Sequence, residues 1–433
     1  MQRVLSFQMA RGLSESSEFV TKRMCFSLIF SVGFLSLLGG FLLGRFATQR
    51  AIEFRAEKKR LELAGNGLEN SEYLQHLMLE QLERAPLDPD FEMKWDYFNL
   101  KDNDMRQVNK ILSNLSLIEK VVEHQSCIVA TARGSRESDR YVVLSTSGEG
   151  VGVALELAKI FNQIQGEYRW RPRRSIIICL FSGSLNSCPE ILSNLMPHKI
   201  VAYIVVHRQV LQDKSHFIVS GSDIIQSMVL ESASIVKNWF SYNSYLLPLN
   251  DIFYNVSTSR LDLNVPHAVL SFMDNDITRN VNHHEREMHK IVLAQIVGHT
   301  IWRFSECLII KWNPSYFNKT VSEALKSINN TELLEVKEKM QQTVDKLLTS
   351  IKVFNKKIDA IDNINTIDTR ILNDLLMELD RILLCPNEQN ESRTDWTKFS
   401  KLSQEPFNKI IIYVNEVAKC YESAIQLLTI QNR

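Results

Sequence analysis

Tyr141 to Gln163 reads YVVLSTSGEGVGVALELAKIFNQ, and the change of period inside it decides the fold class. Tyr141 to Leu144 are apolar at consecutive positions, which suits a strand covered on both faces; from Val151 the apolar residues recur every three or four positions, as on a helix. Between strand and helix stand only Ser145, Thr146, Ser147, Gly148, Glu149 and Gly150. The carboxyl end of such a strand is where α/β sheets place their sites, so this short turn is the first place to look for one.

The same alternation continues outward. Short apolar runs, CIVATA (127–132), SIIICLF (175–181), VAYIVV (201–206), FIVS (217–220) and HAVLSF (267–272), alternate with stretches of helical spacing such as DIIQSMVLESASIVKNWF (223–240). Runs apolar on both faces with helical crossovers predict an α/β domain over 123–313, a mainly parallel sheet with helices on both faces. After Pro314 strand patterns stop, and 314–433 repeats apolar residues at three- and four-residue intervals, which predicts an all-α domain. Residues 45–122 are charged and helix-prone, interrupted by Gly65, Gly67, Pro86 and Pro89, and read as a stalk and connector.

Composition narrows the function classes. The chain has 433 residues, of which 45% are hydrophobic and 23% charged; 50 basic side chains balance 50 acidic ones. With no net charge, no whole-protein field draws the chain to nucleic acid, and none is expected as a partner. Met24 to Gly44, MCFSLIFSVGFLSLLGGFLLG, carries no charge over 21 residues and is bracketed by Lys22, Arg23 and Arg45. At ~1.5 Å per residue it spans a ~30 Å hydrocarbon core, and it exceeds the ~7–15 residues of a signal-peptide apolar region. A transmembrane helix at 24–44 behind a cytoplasmic tail at 1–23 is therefore expected. Basic residues flank both sides, Arg3, Arg11, Lys22 and Arg23 before it and Arg45, Arg50, Arg55, Lys58, Lys59 and Arg60 after it, so charge does not set the orientation. The glycosylation sequons at Asn114, Asn255, Asn318, Asn329 and Asn390 all follow the helix. They suit an extracellular or lumenal body, a single-pass type II membrane glycoprotein of the plasma membrane or secretory pathway.

Seven cysteines are scattered without a C-x-x-C pair, which excludes a zinc ribbon and leaves no disulfide framework to be read from spacing. Cys179, inside SIIICLF, is expected as a buried small hydrophobe.

RGSRESDRYVVL (133–144), RWRPRRSIIICLF (169–181) and KIVAYIVV (199–206) together resemble the core of the glutamate carboxypeptidase II and transferrin receptor family. TRILNDLLMELDRILLCP (369–386) and PFNKIIIYVNEVAKCYESAIQLL (406–428) are similar to its helical dimerisation domain. The resemblance implies a zinc-peptidase-like core and a homodimer formed through the C-terminal helices. In active members of that family a loop after the first of these strands supplies a zinc-binding His and a metal-bridging Asp. Paired carboxylates follow the second strand, an Asp follows the third, and a late His closes the site. Two zinc ions need that charge, and the bridging water needs a base.

Matched to this pattern, the opening turn is about ten residues short and lacks the His and Asp. Ser147 stands nearest, with Glu149 the only carboxylate beside it. The general-base position falls on Ser184 and the ligand beside it on Leu185; the third-strand ligand falls on His207, and the late one on His283 or His284. The protease-associated domain has no room before the core, and NEQNESRTDWTKFSKLSQE (387–405) replaces the family's glycine- and serine-rich loop. The resemblance thus implies no catalytic residue, no bound cofactor and a degenerate metal site. The reading is a non-enzymatic homodimeric receptor-like or scaffold protein with an unknown protein or peptide ligand. Its alternative is a zinc-dependent carboxypeptidase or aminopeptidase, if the chain is a splice product or its site is misread.

Other motifs fail on spacing. HHEREMH (283–289) places Met288 four residues after His284, where a zincin needs its second His, so a solvated helix start is the better reading. STSGEG lacks the glycine two before Ser147 that a nucleophile elbow requires. Arg171 to Arg174, RPRR, leads into a strand and reads as structural rather than as an anion trap.

Overall fold

Strand β3 (Glu137–Ser147) is the hub of the computed structural model, because its residues are buried on both faces and both its neighbours run parallel to it. The structure describes residues 26–46, 48–50, 71–84, 102–124, 127–148, 150–181, 197–206, 216–240, 265–273, 283–327, 333–359, 366–385 and 407–430. The chain divides into two units, Met1–Arg60 and Leu61–Arg433. In the first, helix α1 (Phe26–Arg50) has a mean hydropathy of 2.2 and is long and apolar enough to cross a membrane. Its large side chains, from Phe26 to Phe46, are exposed.

In the second unit, seven strands form one sheet in the order β1-β2-β4-β3-β5-β7-β6. They are β1 (Lys120–His124), β2 (Cys127–Ala132), β3, β4 (Arg174–Phe181), β5 (Ile200–Val206), β6 (His216–Gly221) and β7 (His267–Met273). The central four, β4-β3-β5-β7, are parallel, and the antiparallel pairings lie toward the two edges. All five apolar runs flanking the opening stretch are strands, so the mainly parallel α/β reading holds where the sheet is deepest.

Two-residue alternation sorts the strand side chains. Val142, Leu144, Ile176, Ile178, Leu180, Ile204 and Val206 join a core shared with the helices. These helices are α2 (Ser71–Arg84), α3 (Asp102–Ser113), α4 (Gly150–Tyr168), α5 (Asp223–Phe240) and α6 (His283–Glu306). Val143, Ile177, Cys179, Phe181, Tyr203, Val205 and Val269 face the other way in a second cluster, to which the described helices contribute nothing. Cys179 is fully buried there, 3.7 Å from the sulfur of Cys127. On the helical side Trp170 stacks on Trp302 with centroids 4.7 Å apart, and Phe161 tilts against both. Within 45–122, α2 and α3 are part of the packed body: Leu74, Met78, Leu79 and Leu82, then Val108 and Leu112, are buried in this core.

The C-terminal helices are α7 (Ser315–Ser327), α8 (Leu334–Asp359), α9 (Thr366–Leu383) and α10 (Phe407–Ile430). Trp312, Phe317 and Tyr421 meet edge to face at their centre, and a disulfide joins Cys385, past the end of α9, to Cys420 on α10. The cysteine spacing held no sign of that bridge, since only the packing of α9 beside α10 brings the two together.

Sequence-distant polar pairs fasten these helices to the α/β body. Arg140 of β3 bonds Asp374 of α9, and Arg370 of α9 bonds Asp139 of β3. The Asn373 side chain accepts from the Ile310 amide at 2.9 Å and donates to the Leu308 carbonyl at 2.9 Å. Asp380 of α9 accepts the Ile224 amide at 2.8 Å and so caps α5 from a helix far along the chain.

Asp380 is fully buried, and desolvation pushes its pKa up to about 7 against the pull of its hydrogen bonds and Arg381. Asp223 is also buried, and its pKa is raised by desolvation and by repulsion from Asp380. A raised carboxylate pKa means that the folded state holds the proton more tightly. Its stabilisation is complete below the ordinary carboxylate pKa and is lost as pH rises through about 7. Asp380→Asn keeps an acceptor for the Ile224 amide and removes the buried charge. At pH 8 it is expected to stabilise the fold by about 1–2 kcal/mol, and at pH 4 by less, in denaturant titrations at the two pH values.

Candidate functional site at the carboxyl ends of the central strands

The turn between β3 and α4 holds only Gly148 and Glu149, and Gly148 has a φ of 58°, the left-handed region where glycine is free of Cβ strain. The Val151 amide donates to the Gly148 carbonyl at 3.1 Å, which starts the helix immediately. Ser145, Thr146 and Ser147 are all buried. Thr146 lies on the helical side of the sheet, where its hydroxyl donates to the Val206 carbonyl at the end of β5, 3.2 Å away. A Cβ on Gly150 would stand 2.0 Å from Thr146 Oγ1 and 2.9 Å from Val206 Cγ1. The ends of β3 and β5 and the start of α4 are therefore closed against one another. Gly150→Ala is expected to cost about 1–3 kcal/mol by overpacking, read as a fall in the midpoint of chemical unfolding.

Ser147 is the one degenerate ligand position whose side chain is described, and it offers a neutral hydroxyl. Glu149, Ser184, Leu185 and His207 lie outside the described residues, as do the sequons at Asn255, Asn329 and Asn390. His283 and His284 open α6, the helix start expected of HHEREMH; their side chains are outside the description. Asn114 and Asn318 are exposed, as a glycan acceptor must be. Among the described residues, no group of three or more His, Cys, Asp or Glu is placed to hold a metal ion.

The buried charges lie elsewhere. At the amino ends of β3 and β4, Glu137 accepts from Arg173 Nε at 2.7 Å and from Arg174 Nε at 2.9 Å. Burial works to raise the Glu137 pKa, but Arg174 and Arg173 outweigh it and hold the carboxyl below its ordinary value. Arg174 also donates to the Phe304 and Cys307 carbonyls, and the Arg173 amide donates to Glu306. Burial pushes the Glu306 pKa up to about 8 despite these donors. RPRR is thus turned inward for structure, as its position before a strand suggested. Sequence reading passed over Glu156 of α4, which burial pushes up to about 7 against the attraction of Lys159. A carboxylate inside a helical pattern gives no signal of which way it faces.

No family model matches the chain. Over 334 residues it is 22% identical to Aminopeptidase NAALADL1 of Mus musculus, covering 62% of this chain and 44% of that protein. Its counterpart in Rattus norvegicus is also 22% identical, over 63% of this chain and 45% of the relative. The chain spans less than half the length of these curated relatives. Among solved structures it is similar to a putative Zn-dependent exopeptidase from Bacteroides vulgatus, at 14% identity and a TM-score of 0.32, covering 52% of this chain and 95% of that one. It is also similar to a zinc aminopeptidase from Bacillus subtilis, at 12% identity and a TM-score of 0.30, over 42% and 50% of the two chains.

These comparisons correct one expectation. The solved structures found include a zinc aminopeptidase and a putative Zn-dependent exopeptidase, so the expectation that no cofactor is bound does not stand. The described residues at the strand ends, hydroxyls and apolar side chains, do not themselves fit zinc, and no chemical step is derived through it. In sequence the chain shows a weak similarity to Aminopeptidase NAALADL1 over about three fifths of its own length.

Proposed function

We propose that the protein is a membrane-anchored, homodimeric receptor-like or scaffold protein whose peptidase-like body does not hydrolyse peptides. The observation that carries this reading is the closed β3–α4 turn, where Thr146 bonds the end of β5 and Gly150 has no room for even a methyl group. The resemblance adds that the general-base position holds Ser184, a hydroxyl that takes no proton from water near neutral pH. This argument concerns proton transfer, and it holds whether or not zinc binds. The aminopeptidase reading is favoured by the names of the curated relatives. Steady hydrolysis of aminoacyl or glutamyl peptides by the purified full-length protein, supplied with zinc, would establish it and remove the scaffold reading.

The Cys385–Cys420 disulfide and the exposed sequons Asn114 and Asn318 support an extracellular or lumenal body behind α1. The homodimer is supported by exposed apolar side chains on the C-terminal helices: Ile367 is 70% exposed, Ile371 47%, Val353 43% and Ile412 58%. Ile367 and Ile371 sit one turn apart on α9 and present a common stripe. Ile367→Asp with Ile371→Asp is expected to turn the dimer into a monomer without lowering the melting temperature of the protomer. Light scattering with calorimetry checks both halves of that statement.

A further inference from the structure

Helix α5 begins without the cap its own sequence offers. Ser222 precedes the helix, and the Gln226 amide donates to its carbonyl at 2.9 Å, so its hydroxyl would ordinarily cap the first free amides. That hydroxyl is turned to β7 instead: it donates to the His267 carbonyl at 3.1 Å and accepts from the His267 amide at 3.0 Å. Asp380 of α9 takes over the cap through the Ile224 amide.

The Asp380 carboxyl also hydrogen-bonds the Ser222 hydroxyl. A serine has one hydrogen to give and two lone pairs with which to accept. When Asp380 is ionised, it and the His267 carbonyl both call on the same Ser222 hydrogen, and only one is served. When Asp380 is protonated, its own O–H donates to Ser222 Oγ. Ser222 then gives to the His267 carbonyl and accepts from the His267 amide and from Asp380, and every bond at the corner is made at once.

The neighbours favour the protonated form. Asp223, which opens α5, is a second buried carboxyl, and the two repel when charged. Arg381 draws Asp380 toward ionisation, but its guanidinium bonds Glu378 at 3.0 Å. From α10 the facing group is Tyr421, whose phenol burial and Asp223 keep neutral. From β7 it is His267, whose ring is neutral and gives its Nδ1 hydrogen to the Val265 carbonyl at 2.9 Å.

We propose that Asp380 is a proton switch in the joint between α9 and the α/β body. Protonated, it donates to Ser222 and closes the corner of β6, α5 and β7; ionised, it competes for the Ser222 hydrogen and the joint loosens. Burial sets its pKa at about 7 in the closed joint, against about 4 once the joint opens to water. The closed joint holds the proton more tightly, so acid closes it, and that stabilisation is lost as pH rises through about 7.

The test uses the full-length protein in detergent and reads hydrogen exchange at the Ser222, Ile224 and His267 amides, as protection factors corrected for the intrinsic pH dependence of exchange. Between pH 5 and 7 their protection is expected to fall by roughly tenfold per pH unit relative to the Ile178 amide of β4, and to level off above pH 7. Asp380→Asn keeps an acceptor for the Ile224 amide, adds an N–H for Ser222 and does not ionise, so its protection is expected to stay flat. Parent protection that tracks Ile178 at every pH would overturn the proposal, because the joint then opens only with the whole fold. A slope that survives in Asp380→Asn overturns it too, because another group is then titrating. Infrared difference spectra between pH 5 and 8 follow the proton itself. A carboxylic-acid band that the parent loses on raising the pH, and that Asp380→Asn lacks, supports the switch; identical difference spectra for the two proteins contradict it.

Discussion

Glu137→Ala is expected to destabilise the protein by about 3–5 kcal/mol, a loss that would leave little of an ordinary domain's stability. Glu137 lies between Arg173 and Arg174, which are both fully buried, and it is the carboxylate that both guanidiniums meet. Removing it strands two positive charges in the interior. Truncating one partner of a buried pair costs far more than the pair contributes, because the remaining charge keeps its desolvation penalty. The consequence reaches past the pair. Arg174 also bonds the carbonyls at the end of α6, so a disordered Arg174 loosens β4 from that helix. Glu137→Gln keeps the shape and one acceptor and is expected to lose less than the alanine variant. The two are compared by urea unfolding. A Glu137→Ala protein within about 1 kcal/mol of the parent would show that water reaches this cluster and screens its charges.

The second large effect is expected at Gly221, where β6 ends and α5 begins. Its φ is 144°, outside the range that side-chain-bearing residues normally adopt, and a Cβ there would lie 2.2 Å from the backbone oxygen of His267. The close approach is needed because the Ser222 amide and hydroxyl both bond that oxygen, while the His267 amide bonds Ser222 Oγ in return. Gly221→Ala combines backbone strain with a clash against backbone that cannot rotate away, and is expected to cost about 3 kcal/mol. Because Asp380 caps the same helix one turn away, the variant should also weaken the joint between the α/β body and α9. Hydrogen exchange at the Ile224 amide reads that directly. Fast exchange there with a largely unchanged β4 is the expected pattern, and equal acceleration in both would mean global unfolding instead.

How much of this was legible before the structure depends on the physical range of each signal. The period change from Tyr141–Leu144 to Val151 onward fixed β3, the turn and α4 because strand and helix differ in local repeat. Each apolar run became a strand for the same reason. What stayed invisible is what depends on contacts between distant segments. Lys120–His124 is a strand only because Cys127–Ala132 folds back beside it, and its sequence KVVEH gives too short a pattern to show it. The packing of α2 into the core depends on α4 and α6 lying across it, whereas its charged sequence suggests a free stalk. Cys385 and Cys420 meet because α9 and α10 do. Asp223 and Asp380 are far apart along the chain, and nothing in either neighbourhood announces a shared burial.

The strand-to-helix junction was legible as short, since small residues between Leu144 and Val151 leave room for little else. Its closure by Thr146 and Gly150 was not, because a hydroxyl bonded to the next strand's last carbonyl is a tertiary fact. The expectation that failed was the absence of a cofactor. It took the loss of matched ligand residues as the loss of the metal, whereas zinc peptidases are among the solved structures the chain is similar to.

The central claim is that the body does not hydrolyse peptides, and a direct assay decides it. Full-length protein, purified with zinc present, is incubated with a peptide pool of varied termini, and products are followed by mass spectrometry with and without chelator. The account predicts the same product spectrum as buffer in both arms. Chelator-sensitive release of terminal residues at a turnover on the order of 1 s⁻¹ or faster, the ordinary enzymatic range, would contradict it.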